Sequence, residues 1–153
     1  MILNPGQSLQ SFIEPWFKPS AYSLILLRQD GYPCVFYGDF YGITNNDIPP
    51  VNGLQTLMEL RKEKAYGIQH DYFDQPHTIG WTLEGDEEHL SSGLAALITN
   101  QGEAEKRMYV GENHQGEKWI DALNNCKQDV WIDDQGYGNF KVAEKSVSVW
   151  VSS

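Results

Sequence analysis

The chain has 153 residues, which is enough for one ordinary domain or for a small domain with an appendage. Its formal net charge is −10, from 11 Lys and Arg against 21 Asp and Glu. This balance argues against nucleic acid and anionic membranes as partners, because counterion release requires clustered cations. Hydrophobic residues make up 41% of the chain, so it can build a core, yet no apolar run approaches the ~20 residues that cross a bilayer.

The N-terminal sequence and the cysteines favour a cytoplasmic protein. Residues 1–5 lack a basic segment followed by an apolar one, so no signal peptide is predicted. Cys34 and Cys126 lie in different halves of the chain and have no metal-ligand spacing. We expect two reduced thiols, since a disulfide would form only if the fold brought the two residues together.

The N-terminal part of the chain has a helical pattern. Asn4-Pro5 supplies an N-cap followed by proline at the first helical position, and Ser11-x-x-Glu14 resembles a capping box. Further prolines prevent one uninterrupted helix, so a regular helix is predicted over residues 19–29.

A short apolar run and a second helical pattern follow. The run Cys-Val-Phe-Tyr at residues 34–37 stands between a proline and a glycine, which predicts a strand buried on both faces, as in a parallel sheet. Apolar residues at helical spacing then predict a helix over residues 53–64. Helix, buried strand and helix in this order indicate an α/β unit.

The pattern changes near Tyr66. From there on, short β-rich runs recur about every ten residues, separated by Gly, Asn or Asp. This spacing predicts an antiparallel sandwich or Greek key. The predicted strands are residues 68–73, 78–83, 94–99, 106–110, 118–122, 130–132, 139–142 and 147–151.

The residues that could carry acid/base or metal chemistry are scattered. The acidic run at residues 84–88 and the pair Asp133-Asp134 predict solvated turns. His70 and Asp71 could form an acid/base pair, but neighbouring residues on a strand point to opposite faces, which favours a structural role. The four histidines show no spacing typical of a zinc site.

Four tryptophans fall within the β-rich half. An exposed tryptophan on a strand can stack on a sugar ring, but such large rings are usually buried in a core. We therefore expect core positions for Trp81, Trp119, Trp131 and Trp150.

Several motifs carry a family resemblance. Those in the first part of the chain resemble the late barrel of bacterial α-amylases of glycoside hydrolase family 13, especially the liquefying and cytoplasmic type: residues 5–10 (PGQSLQ), 16–19 (WFKP) and 31–39 (GYPCVFYGD). Those in the second part are similar to the C-terminal domain of the same enzymes: residues 66–74 (YGIQHDYFD), 92–99 (SGLAALIT) and 106–111 (KRMYVG).

The resemblance implies an α+β fragment in two parts. Residues 1–65 would be a remnant of the catalytic (β/α)₈ barrel, comprising its last two helices and its last strand at residues 34–37. Residues 66–153 would form the all-β, antiparallel Greek-key sandwich that follows the barrel in this family.

The resemblance also implies that the chain lacks catalytic residues. The family hydrolyses α-1,4-glucan links with retention, using a nucleophile, an acid/base and a third aspartate. The first two lie upstream of every residue in this sequence. Aligned without gaps on Pro5, the third falls at Ile2. We therefore expect the isolated chain to be inactive.

A family calcium site is not expected to persist. Some members hold calcium between the barrel and the C-terminal domain through a His-Asp pair and a later Asp. The matching positions here are Pro76, His77 and Asn100, none of which is a carboxylate, the ligand that calcium prefers. No metal or other cofactor is therefore predicted.

Three functions remain open. They are an inactive C-terminal fragment of an α-amylase, a starch- or glycogen-binding β-sandwich module, and one half of a split amylase. Its predicted partners are α-glucan, bound weakly, and either a second copy or an upstream barrel chain. Pairing with a protein partner would use the exposed barrel strand at residues 34–37, because a strand without neighbours has unpaired edges.

Overall fold

The computed structural model describes residues 13–153. The predicted cap at Asn4-Pro5, the Ser11 end of the capping box and the position of Ile2 lie outside this range. None of the helices in the described part is long and apolar enough to cross a membrane.

The described chain consists of a helical segment (residues 13–65) and a β-domain (residues 66–153). The helical segment contains α1 (Lys18–Leu26), α2 (Tyr37–Tyr41) and α3 (Leu54–Lys64), with short 3₁₀ turns at Pro15–Phe17 and Thr44–Asn46. The β-domain contains β1 (Gln69–Tyr72), β2 (Thr78–Leu83), β3 (Leu94–Thr99), β4 (Ala104–Tyr109), β5 (Lys118–Asp121), β6 (Val130–Trp131), β7 (Tyr137–Val142) and β8 (Val147–Ser152).

Helix α1 ends three residues earlier than predicted, because tertiary partners bind its last carbonyl groups. The Arg61 guanidinium donates to the Leu26 carbonyl at 2.6 Å, and the Trp81 indole N–H donates to the Leu27 carbonyl at 3.0 Å. The final carbonyls of a helix have no partners within the helix, so these two side chains complete its C-terminus. Helix α3 forms as predicted.

The predicted strand at residues 34–37 is wrong. Residues 32–36 have no regular structure, Cys34 is exposed, and Tyr37 is 72% exposed and begins α2. A buried parallel strand needs a hydrogen-bonded neighbour on each side. Within residues 13–153 no strand lies beside this run, so its apolar composition alone does not produce a strand.

The antiparallel sandwich is confirmed. All eight predicted strands form: β2 and β3 have the predicted bounds, the other six have shifted ends, and β6 is reduced to two residues. Six of them make one sheet in the order β1-β2-β3-β8-β5-β6, and β4 pairs with β7 in a second sheet. Every pairing is antiparallel. The last strand, β8, inserts between β3 and β5, a non-sequential return of the kind that a Greek key contains.

Strand β3 lies at the centre of the molecule and is buried on both faces. Leu94, Ala96 and Ile98 face α1 and α3 in the helix-side core, which also contains Trp81 of β2 and the valines of β8. Ala95 and Leu97 face the two-stranded sheet in the sandwich core. The molecule therefore has three layers, and the six-stranded sheet is the middle one.

The helical segment is attached to the β-domain by polar contacts as well as by the helix-side core. Lys64 donates to the Ser91 carbonyl at 2.7 Å, and Arg28 forms an ion pair with Asp71 at 3.1 Å. Gly67, at the junction of the two parts, has a φ of +89° and packs directly against the backbone of Gly85, where no side chain would fit. The two parts consequently share one folded body.

We predict that Leu97→Ala, in the sandwich core, lowers the free energy of unfolding by about 2–5 kcal/mol, because the side chain is fully buried and its removal leaves a cavity. Urea unfolding followed by tryptophan fluorescence measures the loss. Leu90→Ala is the matched control: Leu90 is 88% exposed, and its loss should change stability by less than about 0.5 kcal/mol. Equal effects of the two substitutions would contradict the assignment of β3 as the central strand.

Candidate functional site

His70 and Asp71 have the structural role that the sequence favoured and do not form an acid/base pair with each other. His70 contacts the Glu84 carboxylate through Nε2 at 2.9 Å, whereas Asp71 accepts from Arg28 and, at 2.9 Å, from the Gln69 amide. The two neighbouring side chains thus bind different partners, as the alternation of a strand requires. Their contacts join β1 to β2 and to the helical segment, which is a structural role.

The carboxyl groups with a shifted pKa are shifted downward, whereas a general acid needs an upward shift. The pKa values of Asp74, Asp86 and Asp133 all lie below the usual value. Asp74 is lowered chiefly by a hydrogen bond from the Lys106 ammonium, and Asp133 chiefly by the backbone N–H of Tyr137. For Asp86, desolvation raises the pKa, but the hydrogen bonds from His89 together lower it by more, so the net shift is downward. A glycosidase acid needs a raised pKa, so these three carboxyls are unsuited to that role.

A buried ion pair was missed by sequence reasoning. The Lys18 ammonium donates to Asp39 Oδ1 at 2.6 Å, and the Tyr22 hydroxyl donates to Oδ2 at 2.6 Å. All three side chains are buried. Burial raises the pKa of Tyr22, and the Asp39 carboxylate beside it raises the pKa further. Every member has a partner, so the cluster ties α1 to α2 and leaves no group free for catalysis.

The positions matching the family calcium site lie together but do not suit calcium. His77 Nδ1 lies 3.2 Å from the Asn100 amide oxygen. One imidazole and one amide are a poor substitute for the six to eight oxygen ligands that calcium takes. No group of three His, Cys, Asp or Glu residues elsewhere in the described part of the chain is placed to hold a metal ion.

A cleft of about 630 Å³ separates the start of α3 from the turn after β5. Phe40 and Leu54 provide apolar walls, and Asn52, Gln55 and Asn124 provide amides. The lining contains no charged or titratable side chain. The cleft therefore cannot supply an acid, a base or a nucleophilic carboxylate.

Three of the four tryptophans are in the core, as predicted. Trp81, Trp119 and Trp150 are fully buried, and each indole N–H donates to a protein acceptor at 2.9–3.2 Å. The prediction for Trp131 is wrong, because this side chain is 66% exposed. Trp131 lies on the edge strand β6, and its neighbour Val130 takes the inward position.

Comparison with known proteins shows which class of domain the β-domain resembles. Residues 94–151 match the family model described as the C-terminal domain of α-amylase. A crystal structure of an Anoxybacillus α-amylase covers 91% of this chain, which spans 32% of that protein, with a TM-score of 0.59 and 13% sequence identity. At 13% sequence identity, this structural similarity shows a shared fold and nothing more. The β-domain is thus an antiparallel sandwich of the α-amylase C-terminal class.

Two sequence relatives extend the match to the helical segment. An α-amylase of Geobacillus stearothermophilus is 53% identical over 97% of this chain, which covers 27% of the relative. A cytoplasmic α-amylase of Escherichia coli K12 is 37% identical over 97% of this chain, which covers 32% of the relative. The chain spans about a quarter to a third of these relatives, and across that span it is similar to bacterial α-amylases, with residues 94–151 matching the C-terminal domain model.

We predict that calcium does not stabilise the chain. Thermal unfolding in excess calcium chloride and in EDTA should give the same Tm, because a ligand that does not bind the native state cannot shift the unfolding equilibrium. The double variant His77→Asp/Asn100→Asp supplies two carboxylates at these positions, and calcium should raise its Tm. A calcium-dependent rise in the unchanged chain would show that a site exists.

We predict that Lys18→Met destabilises the chain by about 3–5 kcal/mol, because it leaves the Asp39 carboxylate buried without a counter-charge. The double variant Lys18→Met/Asp39→Asn removes both charges and should recover much of the loss. Chemical unfolding measures both values. Lys118→Met is the control, since Lys118 forms only an exposed pair at 3.9 Å and should contribute less than about 1 kcal/mol. No recovery in the double variant would contradict the pairing.

Proposed function

We propose that this chain is the C-terminal part of a family 13 glycoside hydrolase that cleaves α-1,4-glucan, and that alone it has no hydrolytic activity. The observation that carries the proposal is the 53% identity to an α-amylase over 97% of the chain, although the chain spans only 27% of that relative. The bulk of the enzyme in the relatives is sequence that has no counterpart here.

The proposed inactivity follows from the chemistry of glycoside cleavage. Retaining hydrolysis needs two carboxyl groups about 5–5.5 Å apart on either side of one bond. Several carboxylates in residues 13–153 are held in structural contacts, among them Asp39 by Lys18, Asp71 by Arg28 and Glu84 by His70. The resemblance supplies no catalytic position either, since the slot of the family's third aspartate is Ile2.

The helical segment is proposed to continue a (β/α)₈ barrel whose remaining strands belong to another part of the enzyme. Support comes from its surface, where Tyr32, Tyr37 and Tyr41 are strongly exposed around the apolar run at residues 34–36. A barrel strand requires a neighbour on each side, and this run has none among the described residues. The proposed partner is an upstream barrel chain; self-association through the same surface is the alternative.

A cytoplasmic location is also proposed. Its support is the name of the Escherichia coli relative, a cytoplasmic α-amylase that is 37% identical to this chain.

A second function, binding of starch or glycogen by the β-domain, is favoured by one observation, the exposure of Trp131. Exposed tryptophans combine a large apolar face with a hydrogen-bond donor, as sugar recognition requires.

We predict that the purified chain releases no reducing sugar from soluble starch above the buffer blank, because the resemblance places none of the family's three catalytic carboxyls in this sequence. Co-expression with the upstream part of the Geobacillus relative should restore activity if the barrel is completed by docking. Tyr37→Asp places a charge on the proposed docking surface and should weaken the restored activity. Leu90→Ala should not, because Leu90 is an exposed residue of the β-domain outside that surface. Release of maltose-sized sugars by the chain alone would refute the proposal.

A further inference from the structure

Trp131 differs from the buried tryptophans in its hydrogen bonding as well as its exposure. Trp81, Trp119 and Trp150 each use the indole N–H within the protein. Among the described residues, no acceptor lies within hydrogen-bond distance of the Trp131 N–H. Both its ring face and its donor are therefore open to a ligand.

The surroundings of Trp131 form a small platform, defined here as Lys118, Ile120, Asp129 and Trp131. Lys118 stands opposite Trp131 in the register of β5 and β6, and Ile120 is 39% exposed on the next outward position of β5. The Lys118 ammonium lies 3.9 Å from the Asp129 carboxylate. One aromatic face is thus bordered by a donor and an acceptor whose charges balance.

The charges decide which kind of ligand suits the Trp131 platform. The net charge of −10 disfavours nucleic acid and acidic peptides as ligands. The platform's own two charges cancel, so it attracts no charged partner strongly. A neutral ligand with hydroxyl groups avoids these penalties and can use both the donor and the acceptor.

The size of the platform argues against a protein partner. Two exposed apolar side chains are far less than the ~800 Å² that each partner buries in a stable protein complex. Strand β6 has only two residues, which is too short to template an added strand from another chain. A single aromatic ring is, however, of the right size to cover one face of a pyranose.

We propose that the Trp131 platform is a surface site for an α-1,4-glucan chain. A glucose ring stacks on the indole, and its hydroxyl groups exchange hydrogen bonds with Lys118, Asp129 and the indole N–H. The choice of α-glucan among neutral saccharides rests on the proposed function. The position of the site rests only on the exposure and contacts of Trp131 and its neighbours.

Affinity electrophoresis of the full chain in native gels tests the proposal, with soluble starch or glycogen as the probe. Starch should retard the unchanged chain, and Trp131→Ala should weaken the apparent affinity about tenfold, as loss of a stacked aromatic predicts. Trp131→Tyr should retain most of the retardation. Trp16→Ala is the matched control, because Trp16 is 45% exposed but lies in the helical segment. Circular dichroism confirms that each variant is folded.

Three results would overturn the proposal: no retardation of the unchanged chain, equal retardation of the Trp131→Ala and Trp16→Ala variants, or equal retardation by the α-1,6-glucan dextran. Sedimentation at several concentrations tests the other occupant, and a dimer lost only in Trp131→Ala would assign the platform to a second copy. None of these results affects the restoration of starch hydrolysis by an upstream barrel, so the two proposals fail separately.

Discussion

Burial of β3 on both faces is the constraint on which the rest of the structure depends. Each face of its apolar run Leu-Ala-Ala-Leu-Ile must be covered, because apolar surface left in water costs about 25 cal/mol per Å². The two-stranded sheet covers one face and the helices cover the other. The helical segment is therefore a structural layer of the β-domain, and the Trp81–Leu27 hydrogen bond fixes the point at which the two meet.

Two buried carboxylates, Asp39 and Asp121, have structural roles. Asp39 binds Lys18 and Tyr22 and joins two helices. Asp121 accepts four backbone N–H groups: three from the turn that follows β5 and one from Val149 of β8. Both oxygens of each carboxylate accept hydrogen bonds, which offset the cost of burying the charge.

The elements that depend on local sequence signals were predicted correctly. The prediction failed where strand formation or burial depends on which segment lies alongside in the fold. Strands β1–β8 follow from short β-rich runs that recur about every ten residues between turn residues, and α3 follows from its apolar spacing. The run at residues 34–37 is as apolar as a buried strand, but composition does not say which chain would pair with it. Trp131 has the same composition signal as Trp119, and only its place on the edge of the sheet leaves it exposed. The Lys18–Asp39 pair spans 21 positions and has no local signature.

The exposure of Trp131 follows from the widths of the layers. Two packed helices lie 8–10 Å apart and cover roughly 20 Å, whereas six strands at about 4.8 Å spacing span nearly 29 Å. Helices α1 and α3 are centred on β2, β3 and β8, so the outer faces of β5 and β6 remain uncovered. An apolar residue at this corner is excluded from both cores by geometry. Tryptophan at this corner contributes to neither core, and this geometry supports the proposal that a ligand stacks on its ring.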